Sequence, residues 1–118
     1  MDKYISSAYV YGDRKPYLTA LIVPTLERLL EFAKEQHINY YVLDDLVLHE
    51  PVHKLFEQRV AEINEHLPQY ETIKKFVLLA HDFSIDGGEL TPTLKLRRKF
   101  IYEKYKQKLE DMYTDHSN

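Results

Sequence analysis

Tyr9-Val10-Tyr11-Gly12-Asp13-Arg14-Lys15-Pro16-Tyr17-Leu18-Thr19-Ala20-Leu21-Ile22-Val23-Pro24 is the stretch that decides the fold class. β-Branched and aromatic residues crowd positions 9–11 and 17–23, and the turn chemistry of Gly12 to Pro16 separates them, so the stretch reads as a hairpin. In the second arm Leu18, Ala20 and Ile22 alternate with Thr19, Leu21 and Val23. Both faces of that strand are mostly apolar, which marks a strand covered on each side. Pro24, with no amide hydrogen to offer a ladder, ends it.

Outward from the hairpin, Thr25 is placed to cap a helix over residues 26–36. Leu26, Leu29, Leu30 and Ala33 recur there at three-and-four spacing, and Glu27, Arg28, Glu31, Lys34 and Glu35 fall elsewhere. Residues 37–43 read as a connection with Tyr40 and Tyr41 packed beneath it, and Asp44 or Asp45 caps a short turn through Leu48. Pro51 suits a first helical position, where its missing amide hydrogen costs nothing. Val52, Leu55, Phe56, Val60, Ile63 and Leu67 give that helix an apolar face, and Pro68 closes it. Residues 76–79 read as a third strand, 81–88 as loop and 97–113 as a final helix. Ile101, Tyr105, Leu109 and Met112 form its buried stripe, with Arg98, Lys104, Lys106 and Lys108 left in water. The tail, 114–118, is expected to fray. Hairpin, two helices, strand and helix give an α+β domain: a small, mostly antiparallel sheet of about three strands flanked by about three main helices.

The 118 residues suit a single domain, 1–118, with one core and no linker or repeat. A net charge of −3 argues against a general nucleic-acid binder, and Phe56, Phe76 and Tyr105 fall on apolar faces rather than in a stacking platform. With no cysteine, disulfides, thiolate nucleophiles and zinc–cysteine sites are excluded, which fits a cytoplasmic setting. No apolar run approaches the roughly 20 residues needed to span a bilayer, and no signal-peptide pattern opens the chain. Membrane contact is therefore not indicated.

His49-Glu50-Pro51-Val52-His53 matches H-E-x-x-H, which needs both histidines on one face of a continuous helix. Pro51 starts a helix more readily than it continues one, leaving His49 outside, and no third ligand is evident. No metal site is expected. His37, His66, His81 and His116 stand singly and read as solvated or locally bonded. None of Ser6, Ser7, Ser84 and Ser117 lies in a G-x-S-x-G elbow, and no glycine-rich phosphate loop appears. Asp82, Asp86 and Glu89 read as turn formers.

Gly87-Gly88-Glu89-Leu90-Thr91-Pro92-Thr93-Leu94-Lys95-Leu96-Arg97-Arg98-Lys99 opens on two of the chain's three glycines. Pro92 fixes its own φ and pushes Thr91 away from helical angles, so Lys95 ends a loop just ahead of a basic helical pattern. A lysine there is a compact ammonium on a flexible stem, able to reach an anion outside the domain. Taken alone, Lys95, Arg97, Arg98 and Lys99 form an ordinary solvated basic run.

The segment from Gly88 to Lys99 resembles the closing signature of long-chain fatty-acid–CoA ligases of the AMP-forming (adenylate-forming) superfamily. Ala8-Tyr9-Val10-Tyr11-Gly12-Asp13 and Tyr17-Leu18-Thr19-Ala20-Leu21-Ile22-Val23-Pro24 resemble the paired strands that precede it. Tyr70-Glu71-Thr72-Ile73-Lys74-Lys75-Phe76-Val77-Leu78-Leu79 and Phe83-Ser84-Ile85 follow in the family's order. The resemblance implies the C-terminal lid domain of such a ligase, its large N-terminal domain and hinge absent from this chain and Met1 an added or incidental start. It implies ATP and CoA as co-substrates, a long-chain fatty acid as acyl substrate and Mg2+ on the absent N-terminal domain. This domain alone is then expected to be inactive and to hold none of these groups. Lys95 becomes the catalytic cation of adenylation, with Thr93, Arg97 and Arg98 as substrate or nucleotide contacts. Thr93-Leu94 stands where many superfamily members have Ser-Gly, in keeping with the long-chain acyl subgroup. Lys99 is the nearest other lysine, expected within the helix, where it reaches less freely. The alternative is a stand-alone binding module whose basic loop docks an acidic partner.

Overall fold

A computed structural model describes residues 2–114 of the chain. The hairpin forms as β1 (Ile5–Tyr11) and β2 (Leu18–Pro24), antiparallel, with Tyr9 opposite Leu21 and Tyr11 opposite Thr19. The chain then builds α1 (Leu26–Glu35), α2 (Leu43–Leu46) and α3 (Glu50–Asn64) before laying β3 (Ile73–Leu78) beside β2. The strand order is β1-β2-β3. β3 runs parallel to β2, Leu18 opposite Ile73 and Ile22 opposite Leu78. The sheet is therefore mixed, with one antiparallel and one parallel pairing, because α1 to α3 act as the crossover that parallel neighbours require. Helices α4 (Arg98–Lys104) and α5 (Lys106–Asp111) follow.

Thr19 to Val23 on β2 are each at most 2% exposed. Ala20 and Ile22 pack with Leu29, Ala33, Val52, Phe56 and Val60 from α1 and α3. Leu21 and Val23, pointing the opposite way, pack with Ile101, Leu109 and Met112 and with Phe83. The two-residue period of the strand thus divides one chain segment between two cores, as its doubly apolar pattern requires.

Several local features depart from the sequence reading. Residues 97–113 do not make one helix: Tyr105, at φ −111° and ψ 19°, breaks it into α4 and α5. The stripe survives, since Ile101 and Leu109 are fully buried on either side of the break. β3 begins at Ile73 rather than at 76. The Asn64 amide donates to the Ile73 carbonyl (2.9 Å) and its oxygen accepts the Ile73 N–H (3.0 Å), so the strand starts where α3 ends. Tyr41 is 99% exposed and Tyr40 also reaches solvent, so neither packs beneath its connection. Asp44 and Asp45 lie in the first turn of α2, whose N-cap is Val42, and Thr25 sits at the α1 N-cap without a side-chain bond. α3 stops at Asn64, leaving Leu67 beyond it. Residues 115–118, with His116, Ser117 and most of the tail expected to fray, lie outside the described residues. Among the described residues no helix is long and apolar enough to cross a membrane.

Candidate functional site

Residues 89–97 form a second, smaller hairpin directly ahead of α4. Leu90 and Leu96 bridge antiparallel. The Thr91 N–H donates to the Lys95 carbonyl, the Leu94 N–H to the Thr91 carbonyl and the Arg97 N–H to the Glu89 carbonyl, each at 2.8 Å. Pro92 opens the turn, and Leu94 follows it at φ 65°, the left-handed angle that closes three-residue hairpin loops. The Thr91 hydroxyl accepts the Lys95 N–H (3.0 Å) and shares a hydrogen bond with the Thr93 hydroxyl (3.1 Å). The backbone of Lys95 is thus held by two bonds while its side chain stands exposed at the tip. Among the described residues the ammonium has no ion pair or hydrogen-bond partner in this domain.

The base of the hairpin is anchored by Glu89, which is only 3% exposed. One carboxylate oxygen accepts the Ser84 N–H (3.1 Å); the other accepts the Lys104 ammonium (2.6 Å). Burial pushes the Glu89 carboxyl up, but the Lys104 ammonium and the Ser84 amide outweigh it and hold the group below its ordinary value. The hydrogen bond to Glu89 correspondingly raises Lys104. Glu89 thus bonds across the turn at 85–88 and also pairs with α4, and Lys104 is not simply solvated. Gly88 sits at φ 92°, and a Cβ there would lie 2.5 Å from the Phe100 ring, so both the backbone angle and the close approach to α4 favour a glycine.

The other expected site residues take different positions. Thr93 lies at the tip with its hydroxyl in the turn. Arg97 turns back, donating to the Gly88 carbonyl (3.1 Å) with its guanidinium 5.1 Å above Phe100. Arg98 lies 4.5 Å above Tyr9 and donates to the Val10 carbonyl, latching α4 to β1. Lys99 is exposed within α4. The fold thus presents Lys95 and Thr93 outward and spends both arginines largely on its own scaffold.

His49 is the N-cap of α3 and lies outside the helix, while His53 faces Glu57 (3.0 Å) and stacks on Phe76 at 4.9 Å. Among the described residues no group of three or more His, Cys, Asp or Glu gathers as a metal would need. A further polar cluster fastens α5 to the first hairpin: Glu110 accepts Lys15 (2.7 Å), Tyr102 (3.1 Å) and Tyr11 (3.2 Å). The Tyr113 hydroxyl donates toward the Tyr17 carbonyl at 2.8 Å.

The Glu89–Lys104 pair was not anticipated from sequence. Its one available signal is position: Lys104 falls three residues after the fully buried Ile101, at the margin of the buried stripe.

Comparison with known proteins bears on the fold as a whole. Residues 1–117 match the family model described as the AMP-binding enzyme C-terminal domain. The chain is 34% identical over 111 residues to the long-chain-fatty-acid–CoA ligase FadD15 of Mycobacterium tuberculosis, covering 93% of this chain and 18% of that protein. It is 32% identical over 126 residues to the human long-chain-fatty-acid–CoA ligase ACSBG2, covering 92% of this chain and 19% of that protein. It thus spans about a fifth of the length of these relatives. Among solved structures, the adenylation domain of a carboxylate reductase from Mycobacterium chelonae superposes with a TM-score of 0.73 at 27% identity, over 95% of this chain and 16% of that one. On these matches and this fold, the chain belongs to the family of AMP-binding enzyme C-terminal domains.

Proposed function

We propose that this domain is the lid of an AMP-forming long-chain fatty-acid–CoA ligase, and that Lys95 is the cation it delivers to acyl-adenylate formation. The observation that carries the reading is the exposed Lys95 side chain on a turn whose backbone is tied at both ends. In the first half-reaction a fatty-acid carboxylate oxygen bonds to the α-phosphorus of ATP and the bond to pyrophosphate breaks. Two anionic groups must approach each other, so a positioned ammonium lowers the barrier by stabilising charge on the transferring oxygens. In the second half-reaction the CoA thiol attacks the acyl carbon and AMP leaves. The lid swings as a rigid body between the two steps, withdrawing Lys95 and turning another face inward.

The acyl, ATP and CoA pockets lie mainly on the larger N-terminal domain, which is the main partner of this one. Mg2+, which would neutralise phosphate charge there, belongs to that domain too. Thr93 closes the turn beneath Lys95, and Arg97 and Arg98 lend positive potential beside it. Lys95→Ala in the full ligase should reduce ATP–pyrophosphate exchange about a hundredfold, the equivalent of ~3 kcal/mol. Exchange at the parental rate would remove Lys95 from the chemistry.

A further inference from the structure

Leu94 combines two features that are each unfavourable in an isolated domain. Its φ is 65°, in the left-handed region where a Cβ crowds the following carbonyl. Leu94 is also 67% exposed, so it gains little from burial. Among the described residues, Arg14, His37 and Leu94 are the non-glycine positions with positive φ, and Leu94 alone of the three is apolar. The turn does not need this side chain. The bonds that shape it come from backbone groups and the Thr91 hydroxyl, and the Leu94 contribution is its own N–H, which a glycine would supply equally. A glycine would make the same hairpin with less strain. Among the described residues, nothing that shapes the turn calls for a leucine there.

We infer that Leu94 is a docking residue that seats in an apolar socket on the larger domain of the same polypeptide when the hairpin presents Lys95. The inference rests on reading this domain as a lid. Three observations select that occupant. Leu94 immediately precedes Lys95, so whatever surface receives the ammonium meets the leucine in the same movement. The chain spans only 18% of the ligase it resembles in Mycobacterium tuberculosis, which leaves a large facing surface in proteins of that kind. Finally, exposed Pro92 and Leu94 are followed directly in the chain by exposed Lys95, an apolar tip with a charge at its margin as in docking interfaces. Docking then supplies part of the alignment: the leucine fixes where the hairpin lands and the lysine acts from there.

The test compares Leu94→Gly, Leu94→Asn and Leu94→Met with Lys95→Ala in the full ligase. Leu94→Gly and Leu94→Asn should each lower adenylation kcat/KM about tenfold, the order expected from losing a buried leucine side chain. Leu94→Met should stay within about threefold, because methionine refills such a socket. Thioester formation from preformed acyl-adenylate should be unchanged, and Leu94→Gly should not lower the thermal unfolding midpoint, which separates lost docking from lost folding. Parental adenylation by Leu94→Gly would overturn the inference. So would equal loss of both half-reactions, or a concentration-dependent dimer that the Leu94 changes abolish, since that would assign the side chain to a second copy. If Lys95→Ala adenylates normally, the lid reading fails beneath it; if Lys95→Ala is crippled and Leu94→Gly is not, the docking inference alone fails.

Discussion

Glu89→Gln removes one charge from the base of the hairpin and little else. The glutamine keeps the volume and an acceptor for the Ser84 N–H, but its NH2 group then faces the Lys104 ammonium and that bond is lost. A charge-assisted hydrogen bond contributes ~1.5–3 kcal/mol. The Lys104 side chain is 41% exposed, so its ammonium can turn to water, and the cost falls below the ~3–5 kcal/mol of a stranded buried charge. A loss of about 2 kcal/mol at pH 7 follows. The pH dependence has a fixed sign. Glu89 titrates below its ordinary value in the folded chain, so its contribution is complete above the unfolded value of ~4.3 and is lost as pH falls through the folded value. Parent and variant should therefore converge in acid. Urea unfolding at pH 7 and at successively lower pH measures this as a midpoint difference at unchanged slope. A difference below about 0.5 kcal/mol at neutral pH, or one that widens in acid, would refute the anchoring role given to Glu89.

Gly88→Ala should destabilise the domain by roughly 1–3 kcal/mol, because it adds a Cβ at φ 92° against the Phe100 ring; a thermal unfolding midpoint equal to the parent's would contradict that packing. Asn64→Ala leaves both backbone groups of Ile73 without their side-chain partner and should cost about 1–3 kcal/mol, with faster amide exchange at the start of β3 as the local signature. At alkaline pH the Glu89–Lys104 pair acts in the opposite sense. Lys104 is raised in the folded state, so its contribution is present below an unfolded value of ~10.4 and disappears as pH rises through the folded value, a loss that Glu89→Gln should blunt in alkaline unfolding curves.

Much of the scaffold is legible in the chain because it rests on short-range pattern. The doubly apolar run from Leu18 to Val23 identifies β2 as a covered central strand, and Pro51 places His49 outside α3. The direction of β3 is a different kind of property. It depends on the side from which the long crossover re-enters the sheet, and nothing within residues 73–78 encodes it. The break at Tyr105 is also hidden, since Ile101 and Leu109 keep helical spacing across it. At the candidate site, the glycines and Pro92 suffice to put Lys95 at the end of a loop. The retraction of Arg97 and Arg98 depends on Gly88, Phe100, Tyr9 and Val10, whose proximity exists only after folding. The left-handed Leu94 has no sequence signature, because leucine is not a residue that selects that angle.

Whether one exposed ammonium serves one of two chemical steps is read from the ratio of those steps in a single variant. Acyl-adenylate formation and thioester formation from supplied acyl-adenylate should be measured on Lys95→Ala of the full-length protein, with Lys99→Ala as the neighbouring control. Lys95→Ala should lose about a hundredfold in the first step and less than about threefold in the second, while Lys99→Ala should lose little in either. Equal losses in both steps for Lys95→Ala, or the larger adenylation defect in Lys99→Ala, would contradict that expectation.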